Sequence, residues 1–183
     1  MKKAIFIIAV ATAFIACKNE KKESAETEKS TAAESKTAAA VTFPYKANYS
    51  SQFNDQVADK DVEAVLNSYK YWENADFTGM AGVLSDSIYF QSFNGFVFDG
   101  TRAGLIDVWT KHRDSLVSVK IDMDVWVKSH SVDKNEDYVN CWYKEIDTYK
   151  SGKIDSAYYA DINQVVKGKI RWFGQYRQEI KMK

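Results

Sequence analysis

The sequence predicts an α+β domain in which three helices cover one face of a curved, mostly antiparallel sheet. Three observations carry this. Apolar residues between Asp59 and Leu116 recur largely at helical spacing, whereas from Lys120 onward they alternate with a period of two. Short turns, Asp133–Glu136, Ser151-Gly152 and Lys167-Gly168, divide that second half into four long strands. An Asn94-Gly95 pair between alternating apolar runs places a short hairpin among the helices.

Before the domain come three segments of different character. Met1–Ala16 (MKKAIFIIAVATAFIA) has two lysines followed by an uncharged apolar run. The run is shorter than the roughly 20 residues a membrane-spanning helix needs, and fits a secretory signal peptide. Phe14-Ile15-Ala16-Cys17 resembles a bacterial lipobox, which implies lipidation of Cys17 and attachment to the membrane through that lipid. Phe14 stands where leucine is usual, and an ordinary signal peptide with a chance cysteine is the alternative. Lys18 follows the cysteine, so the expected location is the cell envelope at the outer membrane, facing the periplasm or the exterior. Residues 17–41 are almost wholly Lys, Glu, Ser, Thr and Ala and read as a solvated tether. Residues 42–58, with Phe43, Pro44, Tyr45, Tyr49 and Phe53, read as an irregular strap packing its aromatics onto the domain, which then covers residues 59–183.

The first helix is expected over Asp59–Asn74, where Val62, Val65, Leu66, Tyr69 and Trp72 form one face and Asp59 or Asp61 can cap the start. Asp76–Leu84 reads as a second, short helix capped by Asp76. Ser87–Phe93 and Phe96–Phe98 are the hairpin strands. Thr101 to about Leu116 is the third helix, with Leu105, Val108 or Trp109, His112 and Leu116 inward. Lys120–Val132, Asp137–Tyr149, Lys153–Val166 and Lys169–Ile180 are the meander.

The composition bounds function. In 183 residues, 25 Lys+Arg balance 25 Asp+Glu, which removes the basic excess that a nucleic-acid partner requires. Two cysteines, Cys17 and Cys141, leave no disulfide inside the domain, and Cys141 reads as a core residue. No metal-binding spacing and no phosphate-cradling loop occurs, so no metal or cofactor is expected.

The element order, together with Trp72…Asp76-Phe77, Leu84-Ser85-Asp86-Ser87, Asp99-Gly100-Thr101-Arg102 and Lys167-Gly168-Lys169-Ile170, resembles the nuclear transport factor 2-like superfamily. The SnoaL-like and ketosteroid-isomerase-like branches are nearest. The resemblance implies a cone whose helices and concave sheet enclose a pocket, and often a dimer through the outer sheet surface. It also places an isomerase-type tyrosine at or beside Tyr69 and an acid at Asp161. The base position falls at about Ser92, and serine cannot serve as a carbonyl-α proton base without an activating partner.

The expected pocket residues are Tyr69, Trp72, Phe90, Ser92, Trp109, His112, Tyr143, Tyr159, Asp161, Asn163 and Trp172. Tyr159, Asp161 and Asn163 share one strand face by alternation. If that face is outward, Arg171 or Arg177 would satisfy Asp161 instead. His112 could point into the cavity or lie on the helix surface, and His130 is expected at a solvated sheet end. Three functions remain open: binding of a small apolar or aromatic ligand, a protein-interaction or dimerisation module using the outer sheet face, and a cyclase-, dehydratase- or isomerase-type enzyme using Asp161 with His112 or Tyr69.

Overall fold

The computed structural model describes residues 42–180. The signal peptide, Cys17 and the whole of the tether lie outside the described residues. Within them the elements are β1 (Phe53–Asn54), α1 (Asp59–Asn74), α2 (Phe77–Val83), β2 (Leu84–Gln91), β3 (Val97–Thr101), α3 (Arg102–Arg113), β4 (Leu116–Ser131), β5 (Glu136–Tyr149), β6 (Ile154–Val166) and β7 (Lys169–Glu179). The strands form one seven-stranded sheet in the order β1-β4-β5-β6-β7-β2-β3. Every pairing is antiparallel except β2 with β7. Among the described residues no helix is long and apolar enough to cross a membrane.

The helices lie on the concave face because each has one apolar stripe to bury. Val62, Val65 and Tyr69 of α1, Met80 of α2 and Leu105 of α3 join Leu84, Ile88, Val139, Cys141, Val165 and Ile170 in a single core. Thr101 caps α3 through the Gly104 amide at 3.2 Å, and Asp76 caps α2 through the Gly79 amide at 2.8 Å. No side chain caps α1: its cap position is Ala58, and Asp59 pairs with Lys128 of β4 instead. Helix α3 stops at Arg113, short of the expected Leu116. The Ser115 hydroxyl donates to the His112 carbonyl at 2.7 Å there, and Leu116 is already a buried strand residue.

The strap also differs from its expectation. Phe43, Tyr45, Tyr49 and Phe53 are all exposed, so they are not packed aromatics. Main-chain and polar contacts hold the segment: Phe53 and Asn54 pair with Ser131 and His130 at the edge of β4, and the Val132 amide donates to the Gln52 carbonyl at 2.9 Å. The Tyr49 hydroxyl donates to Glu136 at 2.5 Å, and only Val57 is driven into the core. Edge pairing satisfies backbone groups that a bare β4 would expose.

Candidate functional site

Between the helices and the concave sheet lies a cavity of about 400 Å³, within the roughly 300–1,000 Å³ usual for small-molecule sites. Its walls follow from strand alternation and helix periodicity. Phe90 of β2 stacks on Phe173 of β7 at 4.3 Å, and Trp109 of α3 packs against both at 5.9 and 5.5 Å. Trp72 of α1 meets Trp109 at 6.5 Å and stacks on His112 at 6.0 Å. Burial lowers the pKa of His112, which keeps it a neutral ring. Ser92, Phe93 and Phe96, from the loop between β2 and β3, complete the lining on that side.

The cavity has a polar row on β5 and β6. Facing residues of these strands pair as Asp147 with Asp155, Glu145 with Ala157, Tyr143 with Tyr159, Cys141 with Asp161, and Val139 with Asn163. Asp161 is 4% exposed. Its Oδ2 accepts from the Tyr69 hydroxyl at 3.1 Å and from the Tyr143 hydroxyl at 2.9 Å. The orientation of both phenols is determined by a second layer. The Asn163 amide donates to the Tyr69 oxygen at 3.3 Å and to the Val139 carbonyl at 3.1 Å, while the Gln175 amide donates to the Tyr143 oxygen at 3.2 Å. Each phenol therefore accepts from an amide and turns its own proton onto Asp161. Asp161 Oδ1 has no hydrogen-bond partner among the described residues. Burial pushes the carboxyl up to about 7, partly offset by the two phenols and Gln175. Burial, and then the Asp161 charge, raises the pKa of both Tyr69 and Tyr143.

Further along the row, Glu145 is 9% and Asp147 7% exposed. Burial, with Asp147 and Asp161 nearby, pushes Glu145 up to about 8, while Trp72 pulls it partway back. Burial and Asp155 push Asp147 up to about 6, against the pull of Arg113 and Arg177. Asp147 Oδ1 is also without a partner. Both arginines are committed elsewhere: Arg113 donates to the carbonyls of Trp72, Glu73 and Leu116. Arg177 pairs with Asp155 at 2.9 Å and Glu179 at 3.1 Å, donates to the Tyr159 hydroxyl at 3.2 Å, and lies 5.4 Å from the Phe93 ring centre.

Ten of the eleven expected pocket residues line this cavity, from Tyr69 and Trp72 through Asp161 and Asn163. Trp172 does not. Between Gln164–Trp172 and Val165–Ile170 the β6–β7 register slips at a bulge, so Ile170 and Phe173 both face inward and Trp172 faces the opposite side. Asp161 is not a surface carboxylate satisfied by Arg171 or Arg177. Tyr69 hydrogen-bonds Asp161, whereas His112 lines the cavity without bonding it. His130 is only partly solvated: its side chain is 18% exposed, with Nδ1 2.7 Å from Asp137. Buried Cys141 has its thiol pushed up to about 12 by desolvation, which leaves it an inert core residue.

Sequence reasoning missed Glu145, Asp147, Asp155, Phe173 and Gln175. Alternation from Tyr143 along β5 and from Asp161 along β6 would have found the three acids. Among the described residues no group of three or more His, Cys, Asp or Glu side chains is placed to hold a metal ion.

No family model and no curated protein matches the sequence. Solved structures do. An LEH-like epoxide hydrolase of M. tuberculosis superposes with a TM-score of 0.56 at 11% identity, over 66% of this chain and 79% of that one. A protein of unknown function from Exiguobacterium sp. 255-15, described as nuclear transport factor 2-like, gives 0.55 at 15% identity, over 64% and 99%. A candidate polyketide cyclase from Xanthomonas campestris pv. campestris gives 0.53 at 16% identity, over 66% and 91%. At such identities the likeness shows the fold, which is the nuclear transport factor 2-like fold, and that fold carries hydrolases, cyclases and proteins of unknown function alike.

Proposed function

We propose that this chain is a lipid-anchored envelope protein that holds one compact, largely apolar or aromatic small molecule in its concave cavity. The observation that carries this is the cavity itself: aromatic walls on the helix side and on β2 and β7, ending on Asp161, a buried carboxyl with one oxygen left unpartnered. Preorganised polar groups at the end of an apolar site determine orientation, and the walls supply affinity. Cys17 carries the anchor, on the strength of the apolar run ending in Ala16-Cys17.

Native mass spectrometry of the purified protein tests the binding. The expected result is a stoichiometric small-molecule adduct that disappears in Val108→Trp, which fills the α3 side of the cavity. Equal adduct in that variant, with its fold intact, would overturn the proposal. For the anchor, cells fed a labelled fatty acid should yield labelled wild type and unlabelled Cys17→Ser.

One observation favours a catalytic second reading. The Tyr69–Asp161 hydrogen bond joins a phenol to a carboxyl whose pKa lies near neutrality, the range useful for proton transfer. Turnover lost in both Tyr69→Phe and Asp161→Asn, with ligand still bound, would establish it. We also assign the outer sheet face, where Trp142, Tyr158 and Tyr176 are exposed, to contact with a second copy. Sedimentation velocity should then give a dimer that Trp142→Glu dissociates.

A further inference from the structure

The carboxylates of the cavity specify the charge of the ligand. The cavity is lined by Glu145, Asp147, Asp155 and Asp161, and its one potentially basic lining residue is the neutral His112. Asp155 is compensated by Arg177 at 2.9 Å. Glu145, Asp147 and Asp161 have no ion-pair partner among the described residues. All three are at least nine-tenths buried, and Asp147 Oδ1 and Asp161 Oδ1 lack a hydrogen-bond partner among the described residues.

Buried carboxyl groups without cations are destabilising, and a chain of this size has many apolar residues to place there instead. Three such groups on one concave face make physical sense when something else brings the positive charge. A metal ion would need ligands gathered around one point, and no such group is found among the described residues. On β5 and β6 the Tyr143–Tyr159 pair, stacked at 5.4 Å, separates Asp161 from the Glu145 and Asp147 end of the row. A cation spread over a small organic group can be flanked from both ends of that row. The opposite walls, Trp72, Trp109, Phe90 and Phe173, present ring faces and edges suited to an ammonium and to the apolar body attached to it.

Resting on the small-molecule reading above, we propose that the ligand is an organic cation: an amine or quaternary ammonium on an apolar or aromatic body, its charge set among Glu145, Asp147 and Asp161. The two halves of the cavity then divide the work. The aromatic walls hold the body, and the acidic row selects the charge.

The test uses four probes of matched size in calorimetric titration of the purified protein at pH 8.5, where the acidic row is ionised: N,N,N-trimethyl-2-phenylethylammonium, its uncharged isostere (3,3-dimethylbutyl)benzene, 4-phenyl-2-butanone, and 3-phenylpropanoate. The ammonium should bind at least about tenfold tighter than either neutral probe, and the carboxylate should not bind, as expected where ring faces and carboxylates attract a cation that makes no hydrogen bond. Glu145→Gln and Asp147→Asn should each reduce the preference for ammonium over isostere about tenfold. These substitutions keep side-chain shape and remove buried charge, so loss of fold is not expected, and circular dichroism verifies it. If a neutral probe binds as tightly as the ammonium, or the two variants leave the preference intact, the cation proposal is overturned and the small-molecule reading stands. A ketone preferred over all others would assign the acidic groups to donating hydrogen bonds to a carbonyl. Failure of all four probes to bind the folded protein counts against both.

Discussion

Glu136 and Glu145 belong to the same strand, nine positions apart, and have opposite environments. Glu136 accepts from the hydroxyls of Tyr49 and Tyr138 at 2.5 and 2.6 Å, with Lys134 nearby, and its pKa falls below the usual carboxylate range because these contacts outweigh desolvation. Glu145 is buried beside Asp147 and Asp161, and its pKa rises to about 8. One glutamate is satisfied by the fold and fastens the strap to the sheet. The other is buried in the cavity with no ion-pair partner among the described residues. Where a chain tolerates the second situation, stability has been given up for something else.

The largest effect should come from neutralising Glu145. An acid whose folded-state pKa exceeds its unfolded value near 4.5 destabilises the fold at every pH above the unfolded pKa, and the penalty is complete above the folded one. Wild-type stability should therefore rise as pH is lowered from about 8.5 to about 5. Asp147, Asp161 and Glu73 are the acids that face Glu145, and Asp147 and Asp161 shift in the same direction. Glu145→Gln should raise Tm at pH 8.5 by roughly 5 °C or more, and should flatten the rise. Thermal melts across that range check it. A variant less stable than wild type at pH 8.5 would mean that Glu145 is paired in a way the geometry does not show.

The mirror-image experiment is Glu136→Gln. A lowered carboxylate pKa contributes stability above the unfolded value that is lost as pH falls through the folded one. The loss should be about 1 kcal/mol at neutral pH, discounted for the exposure of Tyr49, and should shrink as pH falls from the unfolded value of 4.5 through the lower folded-state one. Urea melts at pH 7 and pH 3.5 separate the two. Limited proteolysis should cut the strap of this variant faster, because Tyr49 loses its charged acceptor.

These opposite environments also mark how far the sequence could be read. Helix and strand periods were legible from Val62 to Trp72 and along β4 to β7, because each element has one apolar face. Asp161 stood out as an acid interrupting an apolar strand, and its placement opposite Tyr69 needed the family resemblance. Glu145 and Asp147 stayed unread although they share the face of Tyr143: in most antiparallel strands a charged residue marks the solvated side. Trp172 was misplaced because a single bulged residue reverses the inward parity, which composition does not reveal. The α1 cap was misread because Asp59 had a competing partner in Lys128, a contact 69 residues away.

A third test sits between the two glutamates. Tyr69→Phe removes one of the two phenols that hold Asp161 Oδ2, with no change in volume to speak of. Stability should fall by about 1 kcal/mol at pH 8.5, where Asp161 is ionised and needs the donor, and by less at pH 5.5. A drop independent of pH would mean that Asp161 does not change its protonation between pH 5.5 and pH 8.5, and its pKa would then not lie near 7.

The smallest effect serves as the control that gives the others their meaning. Ala75 follows α1 with φ at 53°, in the left-handed region that disfavours a Cβ. Its amide donates to the Trp72 carbonyl at 3.2 Å and the next amide, of Asp76, donates to the Tyr71 carbonyl at 2.8 Å, so the conformation is imposed by the cap and is not free to relax. Ala75→Gly removes the steric penalty of about 1 kcal/mol and adds some unfolded-state entropy, for a net gain of roughly 0.5 kcal/mol. Neither glutamate contributes to that gain, so it should be the same at pH 5 and pH 8.5. If it instead changed with pH as the Glu145→Gln gain does, the pH dependence of both would belong to α1 and its packing on the sheet, and the comparison of the two glutamates would lose its basis.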